Sequence, residues 1–147
     1  MSLKLSDRHE WVMQSEIRNM SIECDRVGGI NLSQGVCDTE VPPEVCEGAK
    51  RAIDEGMNTY TRYDGIDELR EAIAWKQKAS YGQDVDAERE IVVSAGATGA
   101  LYCACLALLD PGDEVILFEP FYGYHLSTVI ATLAVPRFVK TAAPDWR

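Results

Sequence analysis

No run of apolar residues in this 147-residue chain is long enough to cross a membrane as a helix. The opening Met1-Ser2-Leu3-Lys4-Leu5-Ser6-Asp7 also lacks the apolar centre of a secretory signal. A cytoplasmic location without membrane association is the expectation. Basic charge is scarce too: 14 Lys and Arg stand against 24 Asp and Glu, a formal net charge of -10. That balance disfavours nucleic acid and anionic bilayers as main partners, because both are themselves polyanions. Histidine is rarer still, and His9 and His125 are too few and too far apart for a metal site. The five cysteines include no CxxC pair, and an odd number makes a poor disulfide framework. Cys103 and Cys105 fall in an apolar helical stretch, where a free thiol packs as a small hydrophobe. Internal repeats and low-complexity tracts are missing as well.

What is present alternates between helical and extended texture. Asp7 to Arg26 is polar and loosely periodic, which predicts a short helix or an arm that draws stability from elsewhere, ended by Gly28-Gly29. Ile30-Asn31-Leu32 is extended and leads into a turn-rich passage from Ser33 to Pro43. Pro43 suits the first turn of a helix, and Val45, Ala49, Ala52 and Ile53 recur at helical spacing until Gly56. Asp67 predicts an N-cap for a second helix with Leu69, Ala72 and Ile73 on one face and Gly82 beyond its end. From Glu90 the chain becomes apolar. Ile91 to Ser94 and Val115 to Phe118 predict strands, with an almost wholly apolar helix from Ala100 to Leu109 between them. Leu126, Val129, Ile130 and Leu133 mark a third helix face, and Arg137 to Lys140 a last strand. Strands apolar on both faces, alternating with helices, predict an α/β fold with a parallel sheet covered on both sides. The helix from Ala100 is apolar nearly all round and is expected to be deeply buried.

Ligands of open α/β sheets bind beyond the carboxyl ends of strands. After the first predicted strand, Gly96-Ala97-Thr98-Gly99 runs straight into a helix N-terminus. Unpaired N–H groups and the positive end of the dipole suit a phosphate there, and the Thr98 hydroxyl is a further donor. The segment is neither a Walker loop nor GxGxxG. A plain structural reading stands beside this one: Thr98 caps the helix and the glycines permit the turn. After the second strand comes Glu119-Pro120-Phe121-Tyr122-Gly123-Tyr124-His125. Phe121 reads as core filling, whereas a flat ring beside a phosphate cradle suits stacking on a planar phosphorylated cofactor. The two features together are more specific than either alone.

The motif order extends this reading. Asn31-Leu32-Ser33-Gln34-Gly35, Pro42-Pro43, and Tyr60-Thr61-Arg62-Tyr63-Asp64-Gly65 with Leu69-Arg70 come first. Ser94 to Leu101, Asp110 to Val115 and Glu119 to Tyr122 follow. In this order and spacing the chain resembles fold-type I aminotransferases of classes I and II, which depend on pyridoxal 5'-phosphate (PLP). The likeness runs from about Ser15 to Val139 and is nearest to the kynurenine, aspartate and methionine aminotransferase branch. It implies a three-layer α/β/α large domain, with residues 1–30 as an N-terminal arm, 31–43 as a small-domain segment and 44–147 as the first part of the PLP-binding domain. It also implies that Ala97 and Thr98 hold the PLP phosphate and that Tyr122 stacks on the pyridine ring. Tyr60 is implied to reach the cofactor phosphate of a partner subunit, and the Gly35 backbone to line the substrate carboxylate site. Tyr63 is left without a cofactor role, and Gly65 most simply serves its turn.

The same resemblance implies transfer of an amino group between an amino acid and a 2-oxo acid in a homodimer with shared active sites. It equally exposes a gap. The family's Schiff-base lysine, and its arginine for the substrate carboxylate, are expected beyond residue 147. Lys50, Lys76 and Lys78 fall on predicted helices as solvated charges, and Lys140 follows a strand without the family's lysine motif. No catalytic residue is therefore assigned, and the 147-residue chain alone is expected to be inactive. Thr141 to Arg147 carry no domain-ending signal, so the chain is expected to stop within a loop. A PLP-dependent carbon–sulfur lyase or an aminocyclopropane carboxylate synthase-like enzyme shares these motifs. A non-catalytic aminotransferase-like sensing domain is a further alternative, disfavoured by the absence of a winged-helix segment before Ser15.

Overall fold

The computed structural model describes residues 3–12 and 15–147. Residues 1–2 and 13–14 of the expected N-terminal arm lie outside the described residues. The chain divides into two compact units, one of Met1–Gln34 with Ala95–Arg147 and one of Gly35–Ser94.

The first unit begins with a 3₁₀ turn, Asp7–Glu10, whose N-cap Ser6 accepts from the Arg8 amide. Helix α1 follows at Glu16–Arg26. The unit resumes with helix α4 (Gly96–Leu108), strand β1 (Glu114–Glu119), helix α5 (Gly123–Ala131) and strand β2 (Val135–Lys140). β1 and β2 pair in parallel from Glu114 opposite Val135 to Glu119 opposite Lys140, so α5 is the crossover of a βαβ unit. Both ends of this unit are pinned. The Val135 amide donates to the Asp113 carbonyl at 2.7 Å and the Gly112 amide to Leu133 at 2.9 Å. At the other end the Thr141 hydroxyl and amide both donate to the Glu119 carbonyl, at 2.6 and 3.1 Å. Leu117, Val129 and Ala134 are buried, as are Thr128 and Thr132. The Thr132 hydroxyl is satisfied by the Val129 carbonyl at 2.9 Å, which makes its burial tolerable.

The second unit holds helix α2 (Pro43–Asp54) and helix α3 (Asp67–Tyr81). Pro43 occupies the first turn of α2, where its missing N–H costs nothing. Gly82 ends α3 in a left-handed conformation, and its amide and that of Gln83 satisfy the Lys78 and Gln77 carbonyls.

Several expectations fail, each for a physical reason. Ile91 to Ser94 forms no ladder: the Val93 amide instead donates to the Asp64 carbonyl at 3.0 Å, outside any sheet. α4 starts at Gly96 rather than Ala100 and contains no buried residue, with Leu108 79 % exposed. A helix apolar all round needs neighbours on several sides, and α5 is its main one here. The sheet is likewise open on one face, where Ile116 and Phe118 are 61 % and 63 % exposed. Asp67 is the first helical residue of α3 rather than its N-cap, which is Ile66. Arg70, rather than the expected apolar stripe, is the buried residue of α3. Leu133 falls beyond α5, half-exposed and with a φ of 65°.

Candidate active site

The small-residue turn enters α4 through Gly96, whose φ of +69° is a conformation that L side chains rarely adopt. A Cβ built on Gly96 meets nothing within 4 Å, so space is open over the turn. Ala95 is the N-cap and offers no side-chain bond, which overturns the plain reading of Thr98 as the cap. Thr98 instead sits in the first turn of α4, exposed together with Ala97. The first N–H groups of a helix have no partner within it and carry the positive end of the dipole. Their setting is open and made of small residues, which suits an anion approaching the backbone.

Tyr122 lies beyond the carboxyl end of β1, just past the cis Glu119–Pro120 peptide, and is the N-cap of α5. The residue is 51 % exposed. Tyr124 and His125 form T-shaped pairs with it, with centroids at 5.2 and 5.5 Å and interplanar angles of 67° and 80°. T-shaped pairs are a favoured aromatic geometry and help to hold the ring in place. Phe121, by contrast, stacks on Phe138 at 5.6 Å, which fits the packing role expected of it. A cavity of about 430 Å³ opens beside Tyr122, lined by Trp11, Ile17, Tyr124 and Leu126 among others. That volume is in the range of small-molecule sites.

Tyr60 and Gly35 belong to the other unit. Tyr60 is fully exposed, and a Cβ on Gly35 meets nothing within 4 Å. Within one chain neither residue has a packing role, so both are available to a ligand or a second subunit.

The open turn and the available ring fit PLP, since one suits its phosphate and the other its planar ring. Described lysines do not complete such a site by sequence motif: Lys50 pairs with Glu47 at 2.8 Å and Lys78 pairs with Asp84 on helix surfaces.

A charged cluster close to Tyr60 is given no role by any motif reading. Arg62 grips Asp64 with two hydrogen bonds, at 3.0 Å from Nε and 2.9 Å from Nη2, and reaches Asp67 at 3.0 Å. Arg70 Nη1 lies 3.1 Å from the same Asp64 carboxylate, and Nη2 donates to the Glu88 carbonyl. Arg70 is 1 % exposed, and its Nε has no partner among the described residues. The available signal was an arginine beside Leu69 on a helix face otherwise read as apolar. Burial pushes the Asp64 carboxyl up, but the Arg62 hydrogen bond and the charges of Arg62 and Arg70 hold it below its ordinary value. A lowered carboxylate contributes stability that is fully present above the unfolded pKa of about 3.9 and is lost as pH falls through the folded value. The stability difference between wild type and Asp64→Asn is therefore expected to shrink as pH is lowered below about 4. Denaturant melts of both proteins across that range check this, and a pH-independent gap contradicts it.

Residues 27–147 match the aminotransferase class I and II family. The probable N-succinyldiaminopimelate aminotransferase of Mycobacterium tuberculosis is 41 % identical over 128 residues, 87 % of this chain and 32 % of that protein. The methionine aminotransferase of Escherichia coli is 38 % identical over 87 % of this chain and 33 % of its own length. The crystal structure of an Escherichia coli methionine aminotransferase superposes with a TM-score of 0.90 at 34 % identity, over 99 % of this chain and 38 % of that one. The M. tuberculosis N-succinyldiaminopimelate aminotransferase structure gives 0.89 at 35 %, over 96 % of this chain and 37 % of that one. The chain thus spans about a third of the length of these relatives and shares their α/β fold over that length. On these grounds the chain belongs to the aminotransferase class I and II family.

Proposed function

We propose that the protein carrying this chain is a PLP-dependent aminotransferase that moves an amino group between an amino acid and a 2-oxo acid. The observation that carries the proposal is the open, small-residue entry to α4 in the same unit as a half-exposed Tyr122 held in T-shaped ring pairs. The named relatives, which include methionine, aspartate and kynurenine aminotransferases, support this reaction over the lyase and sensing-domain alternatives. In domain terms residues 1–30 are the arm, 31–43 a small-domain segment and 44–147 the first part of the PLP domain. The enzyme is cytoplasmic, in keeping with the finding that no described helix is long and apolar enough to cross a membrane.

PLP, when bound, supplies the electron sink for amino-group transfer. The chain's own residues bind and orient. The Ala97 and Thr98 backbone N–H groups and the Thr98 hydroxyl hold the phosphate, where the helix dipole favours negative charge. Tyr122 stacks on the cofactor ring and sets its plane. The Gly35 backbone lines the place of the substrate carboxylate, with room left by the missing side chain. Tyr60 reaches the phosphate site of a second copy, which makes the active enzyme a homodimer. The nucleophilic lysine lies outside this chain, so the 147 residues alone bind and position without turnover.

Reconstitution of the full-length protein with PLP tests this directly. The expected result is a visible cofactor band and amino-acid-dependent conversion of a 2-oxo acid; no band after reconstitution sinks the proposal. Tyr122→Ala in that protein is expected to weaken PLP binding roughly fivefold, since ring stacking is worth about 1 kcal/mol beyond burial. An unchanged dissociation constant makes the ring a packing residue only.

A further inference from the structure

We infer that the cavity beside Tyr122 receives the side chain of the substrate and selects a large uncharged one, with Trp11 as a specificity-determining residue. The inference rests on the cofactor reading above and deepens it by naming the substrate class. Every residue it uses belongs to the compact unit of Met1–Gln34 with Ala95–Arg147. Tyr122, Tyr124 and Leu126, at the start of α5, line the cavity of about 430 Å³ together with Trp11 of the N-terminal arm and Ile17 of α1. Arg8 ties that arm to α5, since its Nη1 donates at 3.1 Å to the carbonyl of Ala131, the last residue of the helix. The helix dipole favours a cation there. The arm therefore meets α5 twice, through Arg8 at its last residue and through the cavity that Trp11 shares with its first turn. Trp11, Glu16 and Ile17 all precede Asn31, where the first of the family motifs begins, so no motif gives them a role.

Family membership leaves the side chain open, because relatives are named for methionine and for aspartate alike. The chemistry of the lining decides it. Trp11, Ile17, Tyr122, Tyr124 and Leu126 present aromatic and aliphatic surface, which favours an apolar group in proportion to the area removed from water. The rings among them can also pair with an incoming ring. A substrate with a side-chain carboxylate meets the opposite conditions. No Lys, Arg or His stands among the described lining residues, and the one acidic side chain there is Glu16. Entry would strip water from that carboxylate without pairing it, beside a group of like charge. Ser15 and Ser127 offer hydroxyl donors but no positive charge.

Two readouts on the full-length protein test the cavity. The first is the amino-acid half-reaction, followed as decay of the cofactor band with no 2-oxo acid added. Phenylalanine and methionine are expected to react roughly tenfold or more faster than aspartate, compared as second-order rate constants. Trp11→Ala is expected to lower the phenylalanine-to-alanine ratio about tenfold, and Glu16→Gln to raise the aspartate-to-methionine ratio about threefold. Trp11 is 66 % exposed, so removing its ring leaves the fold intact. The second readout needs no turnover: calorimetric binding of 3-phenylpropionate, which lacks the amino group, to the cofactor-free protein. It is expected to bind roughly tenfold tighter than succinate, and to lose about that factor in Trp11→Ala. Aspartate reacting as fast as phenylalanine and methionine overturns the inference while the cofactor reading stands. A phenylalanine-to-alanine ratio unchanged in Trp11→Ala, or equal binding of succinate and 3-phenylpropionate, overturns it as well. If no cofactor band forms, the cofactor reading itself fails, and the calorimetry still tells whether the cavity takes an uncharged ring.

Discussion

Gly65→Ala is expected to destabilise the protein by about 3 kcal/mol, among the largest effects of any single-methyl change in the chain. Two costs add. The φ of +105° at Gly65 lies where a Cβ meets the backbone, a strain of about 1–3 kcal/mol. The new methyl would also stand 2.6 Å from Val93 Cγ2, inside any real contact distance. Relieving that overlap costs about 1–3 kcal/mol more, because Val93 is β-branched and has few rotamers to retreat to. Against this, alanine restricts the unfolded chain and returns about 0.4–1 kcal/mol. The strain wins clearly. A lower denaturation midpoint with an unchanged slope is the measurement, and a variant as stable as wild type refutes the close approach of Gly65 to Val93. Gly56→Ala is a useful partner variant. Its φ of +73° carries strain, but nothing lies within 4 Å of a Cβ there, so only the smaller loss is expected.

Leu117→Ala is expected to cost about 2–3 kcal/mol, the lower part of the usual range for buried leucine. Leu117 is 9 % exposed at the middle of β1 and faces the side of the sheet opposite Ile116 and Phe118. Removing three carbons there leaves a cavity, although the thin, two-stranded sheet can relax and reduce the penalty. Ile116→Ala and Phe118→Ala in the same 147-residue chain are expected to cost less than about 1 kcal/mol each, since their side chains already meet solvent. Urea melts of the three variants check the alternation. Equal losses at positions 116 and 117 are incompatible with the register of Glu114–Glu119 against Val135–Lys140.

Those two contrasts mark where sequence reasoning reached and where it stopped. Helices α2 and α3 follow from local signals: Pro43 at a first turn, apolar spacing through Ile53, and a left-handed Gly82 at the end. Strand β1 is an apolar run bounded by turns at Asp110 to Asp113 and Glu119-Pro120, and it forms; β2 also forms, starting at Val135, two residues before the expected Arg137. The fold class is legible for the same reason, because a parallel pair with a helical crossover leaves a period that single residues reveal. Ile91 to Ser94 has the composition of a strand, yet a strand exists only by pairing, and Val93 pairs with a loop carbonyl. The burial foreseen for α4 likewise depends on neighbours that composition does not supply.

The candidate site divides along the same line. The small-residue helix start and the aromatic run after a strand are local features of the chain, whereas the roles of Ala97, Thr98, Tyr122, Tyr60 and Gly35 come from the family resemblance. The turn at Gly96, the T-shaped packing of Tyr122 and the loss of Thr98 as a cap are set by the folded chain. Arg70 shows the limit most clearly. In sequence it is a charge beside Leu69 on a helix whose face of Leu69, Ala72 and Ile73 reads as apolar. Folding brings Asp64 and the Glu88 carbonyl to it from either side, and only those long-range partners make its burial possible. Local patterning therefore marked a small-residue helix start and an aromatic run as features that suit a phosphate and a flat ring. Tertiary packing alone decided that Arg70 is buried, because a buried charge is tolerable only where distant groups converge on it.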